Sequence, residues 1–193
     1  PGAGMPEAEA AGPEPAEAPR ARRLTPKLEG LRSGLRLTAY FTSEDFSTRP
    51  AFGEGAATPT APERERLVRL TGLAYGAGFR FRSEAGDFLL DDPTRIGPFL
   101  ARNLHKWEEI FEYVDLDAEA GRMAEGVRDV KLAGRMRAAG ADRLTVDWRF
   151  KLGEDWLGAG ASERLGRSGR GTHIVKGLGL VRVGDEASQA LKD

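Results

Sequence analysis

The feature that most constrains the fold is a strict alternation of apolar and polar residues over 142–152, DRLTVDWRFKL. The apolar positions, which share one side of an extended backbone, are Leu144, Val146, Trp148, Phe150 and Leu152. The polar positions, which share the other side, are Thr145, Asp147, Arg149 and Lys151. A period of two is typical of a β-strand with one buried face and one solvated face.

The preceding segment has the same period. Its apolar or small positions are Val130, Leu132, Gly134 and Met136, and the residues AAGAD separate the two runs. A glycine-containing turn between two alternating runs predicts an antiparallel hairpin. We expect the apolar face of this hairpin, including Trp148, to be buried in a core, as we also expect of Trp107.

Further strands are predicted in three other segments of the chain. GLRLTAYFT (34–42) alternates, and its apolar side carries Leu35, Leu37, Ala39 and Phe41. GFRFRSEAGDFLLDD (78–92) is interpreted as a hairpin, and THIVKGLGLVRV (172–183) as a final hairpin that turns at Gly177–Gly179.

Helix signals predict three helices. The first begins at Thr60, where Pro62 and Glu63 fit the first turn and a capping box. The second carries Trp107 and is expected to start near Pro98, because proline disfavours a helix interior, with Pro93 in the preceding turn. The third covers 160–169. The predicted fold class is therefore α+β, with antiparallel β-hairpins and about three packed α-helices.

Composition sets the outer limits. Residues 1–19 are rich in Pro, Ala and Glu and predict a disordered linker, followed by one α+β domain over 20–193 with candidate subdomains at 20–113 and 114–193. The chain of 193 residues has a net charge of -1 and no apolar run that suggests a membrane partner. Because it starts at Pro1 and not at Met, we expect it to be a segment of something longer.

One short stretch resembles a phosphate-binding loop. GRSGRGTH (166–173) has the glycine spacing of a P-loop, but it lacks the lysine and follows a helix where a P-loop follows a strand. Glycines at this position are expected to end the helix. The alternative is a basic contact surface for DNA phosphates formed by Arg164, Arg167, Arg170 and Lys176.

No residue pattern indicates catalysis. The chain has no cysteine and two histidines, and neither Ser162 nor Ser168 has a base near it in sequence. We therefore predict no catalytic, cofactor-binding or metal-binding residues in this segment.

The order of segments resembles the helicase-associated region that precedes the motor of bacterial SWI/SNF-family DEAD/DEAH-box helicases. The resemblance rests on the early strands LTPKLE and LRLTAYF, on ERERLVRLTGLAYGAGFRF, on GDFLLDDPTRIGPFLARNLHKWEEIFEYV, and on DWRFKLGEDWLGAGASERLGRSGRGTHIVKGLGLVRV. It covers about 23–183, and its motifs are patterns of structure without a chemical signature.

The resemblance implies a bacterial, cytoplasmic, ATP-driven translocase on double-stranded DNA. This segment would be non-catalytic and would position or regulate a motor in the same or a neighbouring chain. ATP and Mg would bind to that motor only, because the ATPase motifs are absent from this chain.

Two other interpretations stay open. The chain could be a free-standing protein–protein interaction module, which would show an exposed apolar patch and arginines paired with Glu and Asp. It could also be a small hydrolase or transferase of unrecognised type, which would need a cleft with converging polar groups of perturbed pKa.

Overall fold

The computed structural model describes residues 22–138 and 144–189, which form two β-sheets and five helices. The predicted α+β class is confirmed. The helices are α1 (Ala61–Ala77), α2 (Pro93–Phe111), α3 (Ala118–Ala124), α4 (Ala159–Ser168) and α5 (Asp185–Gln189). The short helices α3 and α5 were not predicted.

The first sheet comes from the N-terminal part of the described chain. Its strands are β1 (Arg23–Leu31), β2 (Gly34–Thr42), β3 (Thr48–Pro50), β4 (Arg80–Arg82), β5 (Asp87–Leu90) and β6 (Asp115–Leu116). The order is β4-β5-β2-β1-β6, and β3 also pairs with β2. β1 and β2 are antiparallel, with Leu28 opposite Leu37 and Leu24 opposite Phe41. These four side chains are fully buried, as the alternation in β2 predicts.

Helix α1 begins where the sequence predicts. The Glu63 carboxylate accepts a hydrogen bond of 2.8 Å from the Thr60 N–H, which is half of a capping box. The same carboxylate accepts bonds of 2.9 Å and 2.8 Å from Nε and Nη2 of Arg22. These bonds lower the pKa of Glu63 to about 2, with the Arg22 side chain as the largest cause. The buried Glu63 carboxylate therefore connects the start of β1 to the start of α1 by hydrogen bonds.

The start of α2 differs from the prediction. The helix begins at Pro93, and Pro98 lies inside it. Pro93 fits the first turn, where the missing N–H has no partner in any case, and the Asp92 carboxylate accepts a bond of 2.9 Å from the Thr94 N–H. Pro98 removes only one later backbone bond and is exposed. The stronger N-terminal signal at Asp92 therefore decides the boundary.

The aromatic side chains on α2 complete the first core. The Trp107 ring is 5.2 Å from Phe99 and 6.5 Å from Phe111, measured between ring centroids. Trp107 is 2% exposed, so its predicted burial is confirmed.

The second sheet holds the segment with strict alternation. Its strands are β7 (Val127–Ala138), β8 (Leu144–Leu152), β9 (Asp155–Trp156), β10 (Gly171–Val175) and β11 (Gly179–Val183). The order is β10-β11-β7-β8-β9. The final hairpin, β10–β11, is confirmed, and β7 and β8 are antiparallel with Val130 opposite Leu152. Most of the predicted AAGAD turn lies outside the described residues.

Helix α3 joins the two sheets. Ala120 and Met123 belong to the first core, and the Glu119 carboxylate accepts two bonds of 3.1 Å from the Gly177 N–H between β10 and β11. Gly179 has φ +77, and a Cβ there would lie 2.7 Å from the carbonyl oxygen of Arg122. Only glycine fits this close approach of α3 to β11.

Candidate interaction surface on the β7–β8 hairpin

The apolar face of the β7–β8 hairpin has a covered half and a bare half. In the covered half, Val130 and Phe150 are buried in a small core with Leu157 and Leu165 from the α4 side. In the bare half, Gly134 lies opposite Trp148 and Met136 lies opposite Val146. Opposite residues of an antiparallel pair share a face, so the two halves form one continuous apolar surface.

The bare half contradicts the prediction of a buried face. Trp148 is 55% exposed, Val146 is 44% exposed and Met136 is 74% exposed. Alternation correctly places these side chains on one face, but it does not show what covers that face. We call Met136, Val146 and Trp148 the bare apolar face.

The Trp148 indole lies against Gly134 of the neighbouring strand. A Cβ built on Gly134 would lie 3.1 Å from Cζ3 and 3.3 Å from Cε3 of Trp148. The six-membered ring therefore covers the glycine of the neighbouring strand. A rigid aromatic ring loses little conformational freedom when a partner binds it, which suits an interface anchor.

A pocket lies between Trp148 and α4. Its volume is about 300 Å³. Apolar and polar groups mix in its wall, which is lined by Leu132, Asp147, Trp148, Arg149, Phe150, Ala159, Ser162, Glu163 and Gly166. A side chain from a partner could insert here while covering Trp148.

The outer edge of β8 is also unoccupied along the bare half. The Phe150 N–H donates to Ser162 Oγ at 3.2 Å, and the Phe150 carbonyl accepts from the Leu157 N–H at 2.8 Å. Since backbone groups alternate direction along a strand, the N–H and C=O groups of Val146 and Trp148 point to the same edge. Within the described residues, β9 pairs only with Lys151 and Leu152, so no strand occupies that edge.

The opposite face of the hairpin is basic. Its cations are Lys131, Arg135, Arg137, Arg149 and Lys151, which we call the basic face. Asp147 lies among them, 2.8 Å from Arg149 and 3.6 Å from Arg137. Lys131 lies directly opposite Lys151, a like-charge pair that disfavours the hairpin by itself. Lys151 also contacts Glu154 at 3.1 Å and lies 5.3 Å from the Trp156 ring centroid.

The four cations predicted to contact DNA do not form a single row. Arg164 and Arg167 lie on α4, which ends at Gly169 with φ 71, so the GRSGRGTH stretch is a helix-to-strand joint. Arg167 contacts Glu163 at 2.5 Å, and Arg170 contacts Asp185 at 2.9 Å. Lys176 follows the other end of β10, roughly 20 Å from Arg170 at about 3.3 Å per residue.

A groove of about 700 Å³ lies on the first sheet, and Lys27, Tyr40 and Asp115 are among the residues that line it. Burial, and then Asp115, raise the pKa of the Tyr40 hydroxyl. A tyrosine hydroxyl is protonated at neutral pH and can donate a hydrogen bond. Its chemistry suits binding more than proton abstraction.

Across 22–138 and 144–189, no group of three or more His, Cys, Asp or Glu side chains could hold a metal ion. No helix in these ranges combines the length and apolar character that a membrane crossing needs.

Comparisons with protein-family models, curated proteins and solved structures found no match to this chain. Sequence reasoning missed the hairpin surface, although the alternation over 142–152 already places Trp148 on one face and Arg149 on the other. The missing information was the extent of the layer that packs on that face.

Proposed function

We propose that this chain is a non-catalytic accessory region of a bacterial SWI/SNF-type ATP-dependent DNA translocase, and that it docks on the motor through the bare apolar face. The observation that carries the proposal is the exposure of Trp148, Val146 and Met136 on one face of the β7–β8 hairpin. The choice of a motor as partner comes from the order of sequence segments that resembles this family.

The physical argument for docking is the removal of apolar surface from water. Each large side chain that becomes fully buried contributes roughly 1.5–3 kcal/mol. Trp148 also has the pocket of about 300 Å³ beside it, which can receive a partner side chain. The free backbone groups on the β8 edge can pair with a partner strand, which would fix the register of the complex.

The test begins with the coding sequence beyond Asp193. A reading frame or neighbouring gene with a P-loop lysine motif and a DExH box would supply the motor, which is then purified and titrated into this chain. We expect Trp148→Ala to weaken binding about 30-fold, because truncation of a buried aromatic anchor typically costs 2 kcal/mol or more.

The matched control is Phe46→Ser. Phe46 is 86% exposed and lies on the loop between β2 and β3, away from the hairpin. This variant should bind the motor as the wild type does. Equal losses from Trp148→Ala and Phe46→Ser, or the absence of any motor gene, would contradict the proposal.

A second candidate is a free-standing protein–protein interaction module without nucleic-acid contact. The ion pairs of Arg167 with Glu163 and of Arg170 with Asp185 favour this second candidate, because they neutralise two of the cations that were predicted to contact DNA. A DNA affinity that does not change between low and moderate salt would support this candidate, since phosphate contacts are strongly salt-dependent.

A further inference from the structure

We propose that the basic face of the β7–β8 hairpin contacts the phosphate backbone of duplex DNA. This inference rests on the proposed function for the identity of the polyanion. It transfers the DNA contact from Arg164, Arg167, Arg170 and Lys176 to a different surface of the molecule. The accessory region would then hold the motor with one face of the hairpin and DNA with the other.

The first support is local charge. The chain as a whole has a net charge of -1. The basic face nevertheless carries Lys131, Arg135, Arg137, Arg149 and Lys151. Asp147 lies among these cations, Glu154 contacts Lys151, and Asp129 at the start of β7 pairs with Arg182, so the cations outnumber the carboxylates. A concentrated positive surface on a nearly neutral protein attracts a polyanion locally and without help from the remaining surface.

The second support is that most cations of the basic face lack a carboxylate partner of their own. Lys131 and Arg135 make no ion pair within the described residues, and Arg137 and Arg149 share the single carboxylate of Asp147. By contrast, Arg167 and Arg170 each have a carboxylate of their own. A bound phosphate would also relieve the repulsion between Lys131 and Lys151, which lie directly opposite each other.

The third support is shape. β11 pairs with Val127–Val130 and β9 with Lys151 and Leu152, so residues 131–138 and 144–150 continue as a ribbon without a third strand in the described chain, with α4 packed on its apolar face near Phe150. The major groove of B-form DNA admits a two-stranded β-ribbon, and proteins read DNA with such ribbons. Cations at every second position of such a ribbon all face one way, toward a single phosphate backbone or groove wall.

The experiment compares two variants that lose equal charge. The hairpin variant replaces Lys131, Arg135, Arg137 and Arg149 with Gln. The control variant replaces Arg164, Arg167, Arg170 and Lys176 with Gln. Each is titrated with a fluorescent 30-base-pair DNA duplex over a range of salt concentrations, after circular dichroism has shown that both variants are folded.

We expect the wild type to bind duplex DNA with a salt-dependent affinity. The hairpin variant should bind about tenfold or more weakly at low salt. Its plot of log affinity against log salt should be shallower by about 3.6, since each of the four lost phosphate contacts contributes about 0.9. The control variant should change the slope by less than about 1. Equal losses in both variants, or a wild type that does not bind, would overturn the inference.

Two further ligands identify the source of the phosphates. Single-stranded DNA and duplex RNA of the same length carry the same backbone charge chemistry in other shapes. Duplex DNA should bind most tightly if the ribbon enters a groove of B-form width, and tighter binding of either alternative would overturn the assignment to duplex DNA. Motor binding by the hairpin variant is a separate readout, so a failure here is distinguishable from a failure of motor docking through Trp148.

Discussion

The two sheets of this protein use alternating strands in opposite ways. In the first sheet, α1 and α2 supply a full layer over the apolar face, and Leu28, Leu35 and Phe41 are fully buried. In the second sheet, the same kind of strand pattern leaves Trp148 more than half exposed. The difference shows that the apolar face of a strand becomes core only where another element is long enough to cover it.

Element lengths explain the bare half in simple terms. α4 has 10 residues and spans about 15 Å, whereas β7 has 12 residues and spans about 40 Å. α4 packs on the part of the hairpin near Phe150, and Val146 and Met136 farther along the strands stay exposed. The apolar face of the first sheet is covered by longer helices, since α1 and α2 have 17 and 19 residues.

The largest expected contrast concerns two tryptophans. Trp107→Ala should destabilise the protein by about 3–5 kcal/mol, because it leaves a cavity among Phe79, Phe99 and Phe111. Trp148→Ala should cost less than about 1 kcal/mol, because its ring has solvent on one side. Urea denaturation of both variants measures these values, and similar losses would show that Trp148 belongs to a closed core.

A second contrast uses two glycines in the left-handed region. Gly179→Ala should cost about 3 kcal/mol, because the new Cβ would meet the Arg122 carbonyl at 2.7 Å in addition to the strain at φ +77. Gly153 has φ +58 with nothing within 4 Å, so Gly153→Ala should cost about 1 kcal/mol. Thermal unfolding compares the two. Equal costs would mean that α3 does not pack tightly on β11.

The smallest contrast makes the same substitution in both regions. Glu63→Gln should lower the free energy of unfolding by about 2 kcal/mol, because it removes a buried charge partner of Arg22. Glu163→Gln should lower it by less than about 0.5 kcal/mol, because Glu163 lies on the exposed face of α4. The folded-state pKa of Glu63, about 2, lies below its ordinary value of 4.5. Its contribution is therefore complete above about pH 4.5 and is lost as the pH falls toward 2.

The pH dependence gives a separate check on Glu63. Wild-type stability should fall between about pH 4.5 and pH 2 more steeply than that of Glu63→Gln, because the variant has no carboxyl at this site to protonate. Parallel curves for wild type and Glu63→Gln would contradict the lowered pKa.

Much of the fold follows from the sequence. The alternation of Leu35, Leu37, Ala39 and Phe41 predicts β2 and its buried face, and Thr60 with Glu63 predicts the start of α1. These features depend on neighbours in the chain. The parallel pairings of β1 with β6 and of β11 with β7 were not predicted, because they join distant segments that are only two to four residues long at the contact.

The candidate interaction surface was harder to predict from the sequence than the fold. The predicted cations Arg164, Arg167, Arg170 and Lys176 are near one another in the chain, but β10 separates Arg170 from Lys176 in space. The basic face shows the reverse, because Arg135 and Asp147 are as far apart in sequence as Arg164 and Lys176 and are nevertheless directly opposite in the hairpin. Strand register, and not closeness along the chain, determines which charges act together.

The most direct test is a titration of the proposed motor partner, once purified, with the wild-type chain and with Trp148→Ala. We expect the variant to bind about 30-fold more weakly while its free energy of unfolding stays within about 1 kcal/mol of the wild type. Such a result would show that the bare apolar face acts in binding and not in folding. Unchanged motor affinity in Trp148→Ala would contradict the account.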